Sequence, residues 1–465
     1  MAEQKAEKRL FGTDGIRGRA GTAPLDSATV RRVGAALADS VRDGTARDGT
    51  ARDGAAPVRI LIGRDTRESG ESLERDLAHG AWSAGAQVVS AGVVPTPAVA
   101  AVTKSHGYTL GVVISASHNP YEDTGIKVFS GAGEKFTEAR ERQVEALVAD
   151  AGRPTPAGEA AAVAYVNHVP DYLAHLRRIL PMPEAARGLR IAVDCANGAT
   201  VAVAPELFSS LGADVHLIGC TPDGRNINAG VGSTAPGVLA AAVTAGGYRL
   251  GVAFDGDGDR AIFVDANGRI VDGDAIMLLC ARQMQAEGRL RGGAIVATVM
   301  SNIGLDVALT ASGIGLVRCA VGDKHVMEAL LARNLSLGGE QSGHVIFTES
   351  LSTGDGMATA LQVIRTMLAT GRELADLAGE FVAYPQILVN VRVPERVDLS
   401  TLPGVVRVMA AVEARLGGRG RLLVRYSGTE PLLRIMLEGQ DHQEIAAWAQ
   451  EIAGAVQQHF VLARA

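Results

Sequence analysis

The amino-acid sequence predicts three consecutive mixed α/β domains of sheet and helix, followed by a smaller C-terminal α+β domain. Three observations carry that expectation. The chain has 465 residues, too many for one core and enough for several. Short apolar runs that end in glycine-rich polar turns alternate with helical patterns up to about residue 374, which is how strands covered by helices read. From about Leu374 the pattern shifts, and two strand runs alternate with two longer helical patterns, as in a separate α+β unit. The boundaries that follow are 1–165, 166–265, 266–378 and 379–465.

Composition narrows the class. Hydrophobic content of 47% with 56 glycines suits a loop-rich globular protein, and a net charge of −6 argues against nucleic acid as a partner. Cys195, Cys220, Cys280 and Cys319 lie far apart with no C-x-x-C spacing, so they read as thiols of a reducing compartment. The opening M-A-E-Q-K-A-E-K-R-L lacks the apolar core of a signal peptide. No apolar run approaches the ~18 residues that a membrane span needs. The expectation is a soluble, cytoplasmic monomer or homodimer without nucleic-acid or membrane partners.

Taken in order, the chain begins with Arg9-Leu10-Phe11-Gly12-Thr13-Asp14-Gly15-Ile16-Arg17-Gly18, glycines around one Asp and one Arg that suggest backbone turning close to a ligand. A helix is expected over about 27–40. Residues 42–56 hold three near-copies of a five-residue R-D-G-T-A unit, too short for a solenoid and read as a surface loop. Val58–Ile62 is a strand running into Gly63-Arg64-Asp65-Thr66-Arg67, and Arg153–Gly158 has the composition of a connection. Strands are expected at 189–194, 250–254, 294–298, 387–393 and 420–426, and helices at 302–312, 405–416 and 443–458.

Gly111–Phe129 reads G-V-V-I-S-A-S-H-N-P-Y-E-D-T-G-I-K-V-F. It starts as a buried strand and breaks into Ser115, Ser117, His118, Asn119 and Pro120, and α/β folds place their chemistry at such carboxyl ends of strands. Lys127 follows, in a chain where only six of 45 basic residues are lysine. A lysine kept where arginine is the habit suggests that a compact, titratable ammonium is wanted. Phe254-Asp255-Gly256-Asp257-Gly258-Asp259-Arg260 sets three carboxylates at alternate positions. They repel one another unless a cation sits among them, and hard oxygen ligands suit Mg²⁺. An EF-hand loop would need Gly and Glu where Arg260 and Ala266 stand. Gly339-Glu340-Gln341-Ser342-Gly343-His344 offers donors and acceptors suited to sugar hydroxyls. Arg425-Tyr426-Ser427-Gly428-Thr429-Glu430-Pro431, with Arg434 beyond it, is a phosphate cradle in its residue types. No Walker or Rossmann fingerprint appears, so a nucleotide is not implied. With one such loop in each expected domain, the distribution fits an active-site cleft between all four.

In order and wording the four motifs resemble the α-D-phosphohexomutase superfamily over essentially the whole chain. The resemblance implies that Ser117 is the phosphorylated residue and that Asp255, Asp257 and Asp259 bind one Mg²⁺, with a Ser117 phosphate oxygen completing the site. It implies that Glu340 and Ser342 hold sugar hydroxyls, with Arg260 and His344 beside them. Arg425, Ser427, Gly428, Thr429 and Arg434 would grip the phosphate that is not reacting. His118 and Lys127 become candidates for proton transfer and Arg17 for steadying the transferring group. F-G-T-D-G-I-R-G at the start, Gln341, and R-Y-S-G-T-E near the end are similar to the glucosamine branch. The phosphomannomutase and phosphoglucomutase relatives usually carry Met in the sugar loop and Asn in place of Gly428. One departure is Gly322-Asp323-Lys324-His325, where that branch commonly reads G-D-R-Y; Lys324 keeps the charge without the bidentate fork. The implied activity is interconversion of glucosamine 6- and 1-phosphates through a 1,6-bisphosphate that also serves as primer, feeding amino-sugar synthesis for the cell wall. The rivals are a phosphomannomutase/phosphoglucomutase, a sugar-phosphate phosphatase and a non-catalytic sugar-phosphate sensor.

Overall fold

The computed structural model describes residues 9–12, 14–42, 57–182, 184–426 and 432–462; most of the R-D-G-T-A repeat lies outside them. The chain forms two compact units, one of residues up to Met300 with Ile314–Gly379, the other of Ser301–Gly313 with Glu380 onward.

The first unit contains three mixed sheets. The first has β1 (Ile16–Arg19), β2 (Arg59–Arg64), β3 (Gln87–Val93), β4 (Leu110–Ile114), β5 (Asp123–Ser130) and β6 (Ala164–Tyr165) in the order β1-β5-β4-β2-β3-β6. The second has β7 (Arg190–Asp194), β8 (Asp214–Ile218), β9 (Leu250–Phe254), β10 (Ala261–Asp265) and β11 (Ile270–Val271) in the order β11-β10-β9-β7-β8. The third has β12 (Ala294–Thr298), β13 (Gly315–Cys319), β14 (Leu337–Gly339) and β15 (Val345–Phe347) in the order β13-β12-β14-β15.

One arrangement recurs in all three. Counting from β2, β7 and β12, the strands of each set lie in the spatial order fourth, third, first, second, the first three parallel and the fourth antiparallel. The third strand therefore turns back directly into the fourth at the carboxyl end of the parallel strands. That single connection is 115–122 in the first sheet, 255–260 in the second and 340–344 in the third. Each of the three polar motifs in this unit occupies the same topological corner, the one where open α/β sheets bind ligands.

β4 and β9 read as continuous apolar runs because both faces are covered, and all ten of their residues are buried. Helix Thr96–Ser105 lies on β4, with Ala98 through Val102 buried. The second unit is a three-stranded antiparallel sheet, β16 (Gln386–Arg392), β18 (Leu432–Gly439) and β17 (Gly420–Tyr426) in that order, covered by helices Pro403–Leu416 and His442–Leu462. Its own core includes Val391, Val412, Ile435, Leu437, Ile452 and Val456. No helix among the described residues is long and apolar enough to cross a membrane.

Candidate active site

Ser117 stands at the β4–β5 corner with φ of 53°, a left-handed conformation that costs a non-glycine residue energy and persists only where the surroundings impose it. Those surroundings are a set of buried hydrogen bonds. Ser115 Oγ accepts from the Ser117 N–H at 2.9 Å and donates to Asp65 Oδ2 at 2.6 Å. Asp65 in turn pairs with the fully buried Arg67 at 2.8 Å. The Arg67 guanidinium donates to the carbonyls of Ser117 (3.0 Å), Asn119 (2.9 Å) and Pro120. Asn228, from the second sheet's loops, donates to the Ser117 and Asn119 carbonyls at 2.9 and 3.1 Å. The Ser117, Asn119 and Pro120 carbonyls are thus held, and the Ser117 hydroxyl is left to point at the neighbouring loop.

There it donates to Asp255 Oδ2 at 2.6 Å, while His118 Nδ1 lies 3.2 Å from Ser117 Oγ. Asp255, Asp257 and Asp259 are all buried, and one oxygen from each falls within 4.8 Å of the others. Thr96 Oγ1 donates to Asp257 Oδ2 at 2.6 Å, and the Arg260 N–H donates to Asp255 Oδ1 at 3.1 Å. Asp257 Oδ1 and Asp259 Oδ1 are buried without a hydrogen-bond partner. Buried carboxylate oxygens without donors are costly, and a hard cation bound by oxygen ligands removes that cost. The three aspartates therefore fit a divalent metal.

Four domain models described as phosphoglucomutase/phosphomannomutase domains I, II, III and C-terminal match residues 8–154, 170–268, 272–384 and 388–455. Phosphoglucosamine mutase of Syntrophotalea carbinolica is 46% identical over 457 residues, 97% of this chain and 98% of the relative. The chain belongs to the phosphoglucosamine mutase family of the phosphohexomutases. Phosphoglucosamine mutase of Geotalea daltonii is 45% identical with 97% and 98% coverage. Among solved structures, a phosphoglucomutase/phosphomannomutase family protein of Burkholderia thailandensis has a TM-score of 0.78 at 24% identity, covering 97% of each chain. N-acetylphosphoglucosamine mutase of Aspergillus fumigatus, solved with GlcNAc-6P and magnesium, has a TM-score of 0.63 at 18% identity, covering 97% of this chain and 96% of that one. These two share the fold.

In this phosphohexomutase the electrostatics revise the part expected of Lys127. Burial alone would depress its ammonium, but Asp14, Asp257 and Asp259 outweigh burial and raise it well above its ordinary value. Its Nζ lies 2.9 Å from Asp257 Oδ2, 3.3 Å from Asp259 Oδ2 and 3.2 Å from Asp14 Oδ2. The sequence suggested a titratable ammonium; in the structure three carboxylates surround it in a low dielectric and favour its charged form. Burial pushes Asp255 well up, and Asp259 and Asp257 push in the same direction. Asp259 goes well below the usual range, since Lys127 and then His344 overcome the effect of burial. Burial, with Arg260 next, lowers His118, so its ring is neutral near pH 7.

The other expected residues divide into groups. Arg17 donates to the Ser115 carbonyl at 3.2 Å and pairs with Asp14, so it joins the serine corner. His344 was expected beside the sugar hydroxyls, yet it is only 3% exposed, with Nδ1 3.5 Å from Asp259 Oδ1 and Nε2 accepting from the Gly354 N–H at 3.0 Å. It orients the aspartate instead. In the third sheet's corner, Glu340 Oε1 accepts from the Gly322 N–H at 3.1 Å, and Ser342 is exposed. The Arg260 guanidinium approaches Asp259, with Nε 3.8 Å from Oδ1. Lys324 pairs with Glu141 and His325 faces Glu328 at 3.4 Å. In the second unit, Arg425 and Arg434 are register partners on β17 and β18 at the ends that flank residues 427–431. Ser427, Gly428 and Thr429 lie outside the described residues.

Sequence reasoning missed Asp65, Arg67, Thr96, Lys135, Asn228 and Asp323. Lys135 joins Asp14 at 2.8 Å and also pairs with Asp323. The strand-end rule that flagged Ser117 also covers Asp65 and Arg67, which follow β2. The scarcity of lysine covers Lys135. Asn228 and Thr96 carry no local signal.

The approach of the two corners is close enough to test. A Cβ added at Gly256 would sit 2.5 Å from the Ser117 carbonyl oxygen and 2.8 Å from Asn228 Nδ2. Gly256→Ala must therefore shift the serine against the aspartates. A displacement of this size costs about 100-fold in rate, so kcat should fall by that order while the melting temperature shows the protein still folded. An unchanged kcat would mean that the corners need not meet this closely.

Proposed function

We propose that the chain interconverts glucosamine 6-phosphate and glucosamine 1-phosphate through phosphorylated Ser117 and a glucosamine 1,6-bisphosphate, with Mg²⁺ held by Asp255, Asp257, Asp259 and a Ser117 phosphate oxygen. The observation that carries this reading is the 2.6 Å hydrogen bond from Ser117 Oγ into the three-aspartate corner, which puts the group to be phosphorylated against the group that would bind the metal. The wording of the Gln341 and Arg425–Glu430 loops supports the amino sugar over its relatives.

The residues divide the work as follows. The sugar's free hydroxyl attacks the phosphorus on Ser117, the P–Oγ bond breaks, and the hydroxyl proton passes to His118, whose ring is neutral at working pH. Lys127 and Arg17 remain cationic or paired and steady the transferring charge without moving a proton. Mg²⁺, when bound, supplies Lewis-acid stabilisation of the charge on the serine oxygen. The bisphosphate turns over, Ser117 Oγ attacks its other phosphorus, the P–O bond to the sugar breaks, and the freed sugar oxygen takes the proton back from His118. Glu340 and Ser342 hold sugar hydroxyls, and Arg425 and Arg434 with the 427–431 loop grip the idle phosphate. The four free thiols, Cys195 and Cys280 buried and Cys220 and Cys319 partly so, support a reducing, cytoplasmic setting.

Product analysis with glucosamine, N-acetylglucosamine, glucose and mannose phosphates side by side tests the substrate. The highest kcat/KM is expected for glucosamine phosphate, and a higher value for mannose or glucose phosphate would overturn the choice. Arg425→Ala tests the grip. Loss of a charge-assisted hydrogen bond worth about 1.5–3 kcal/mol should lower kcat/KM by about 10- to 150-fold. Phosphate release from Ser117 should also lose its stimulation by sugar phosphate. An unchanged kcat/KM for glucosamine 6-phosphate would remove the C-terminal loop from the reaction.

A further inference from the structure

A second cluster of ligand-type side chains lies outside the catalytic corner. His106 ends helix Thr96–Ser105, and His168 and Asp171 open helix Val169–Leu176. Asp171 Oδ2 lies 2.7 Å from His168 Nδ1 and 3.2 Å from His106 Nε2, and the three donor atoms are mutually within 4.8 Å. We propose that His106, His168 and Asp171 form a second metal site, for Zn²⁺ or a neighbouring first-row ion, in which two imidazole nitrogens and one carboxylate oxygen converge on a single point.

Tetrahedral Zn²⁺ with bonds of about 2.0–2.1 Å holds its ligands about 3.3 Å apart; His106 Nε2 and Asp171 Oδ2 at 3.2 Å already match that, and His168 Nδ1 and Asp171 Oδ2, hydrogen-bonded at 2.7 Å, would open by about 0.6 Å as the ion replaces the proton between them. The surroundings are those of a ligated histidine. His168 is 5% exposed, its side chain makes no capping bond to its own helix, and its second nitrogen, Nε2, lies 3.1 Å from the hydroxyl of buried Tyr108. A partner on the distal nitrogen fixes the ring and its tautomer, as around metal-bound imidazoles. The side chains of His106 and Asp171 are each 39% exposed, which leaves a path for the ion and room for water as a fourth ligand.

Donor chemistry separates this site from the three aspartates. Two nitrogens and one oxygen favour Zn²⁺ and its neighbours, whereas an all-oxygen set takes the hard ion. The two sites are also joined. Thr96, the first residue of the ten-residue helix that ends at His106, hydrogen-bonds Asp257, and the helix is about 15 Å long. An ion at its far end would tie that helix to the one opening at Val169 without touching the reacting atoms.

The test is equilibrium dialysis of the full-length, metal-stripped protein against Zn²⁺ in excess Mg²⁺, which fills the aspartate site. One Zn²⁺ per chain should be retained. His106→Gln and Asp171→Asn should each abolish that retention, and Tyr108→Phe should weaken it about ten-fold, while all three keep the Mg²⁺-dependent turnover. Both ligand variants change partly exposed side chains and should fold. A pair of histidines that merely clasps Asp171 would retain no Zn²⁺ under Mg²⁺, or retain it equally in both ligand variants. Either result overturns the site.

Discussion

Ser117→Ala is expected to lower turnover by about four to six orders of magnitude, the scale on which removal of a covalent nucleophile acts. No neighbour can take its place. Ser115 donates its hydroxyl to Asp65 and supports the turn from behind, and His118 is the proposed proton acceptor in the same step. The substitution removes the hydrogen bond from Ser117 Oγ to Asp255 Oδ2 and the longer contact with His118 Nδ1, so the stability change should be about 1–2 kcal/mol. The scaffold of Arg67 and Asn228 contacts only backbone carbonyls of the turn and survives. Intact-mass analysis of the parent should find a phosphate adduct on the peptide containing Ser117, and the variant should lack it. Turnover retained in the Ala variant would sink the phosphoserine mechanism whatever the mass spectrum showed.

The second large effect concerns the metal. Asp257→Asn leaves two carboxylates for a divalent ion and should lower activity by several orders of magnitude, and thorough chelation should imitate it in the parent. Melting temperature provides a second readout. Asp257 is one of the carboxylates that push Asp255 upward, so the metal-free variant loses a repulsion as well as a partner of Lys127. An ion that binds only the folded state raises the melting temperature by mass action. Mg²⁺ should therefore stabilise the parent and leave the variant unmoved. If the chelated parent keeps its activity, the aspartate corner is structural and the proposed chemistry is wrong.

What sequence reading leaves open is clearest in the surroundings of Lys127 and His344. Both residues were legible as chemistry-bearing from their type and motif. Their roles depend on what surrounds them: Asp14, Asp257 and Asp259 around one, Asp259 and Gly354 around the other. Except for Gly354, ten positions on from His344, those neighbours lie far away along the chain, so no local pattern could reveal them.

The sequence by itself marked β2, β4, β7, β9, β12, β16 and β17, because a packed strand writes itself as a short apolar run, but not β18, the central strand of the second unit's sheet, where two strand runs were expected and three are found. It also singled out the loops proposed to carry chemistry, because glycine, serine and aspartate at the end of an apolar run have no packing reason to be there. Tertiary structure alone decided that the three polar loops of the first unit occupy one repeated corner of three like sheets. It alone decided that Arg67 and Asn228 impose the left-handed turn at Ser117, that Lys135 bridges Asp14 and Asp323, and that two histidines and an aspartate meet beside Tyr108. Apart from the His168–Asp171 pair, three positions apart, each of these is a contact between residues tens to hundreds of positions apart. Its energy comes from desolvation and Coulomb forces over a few ångströms, which only the folded chain brings into range.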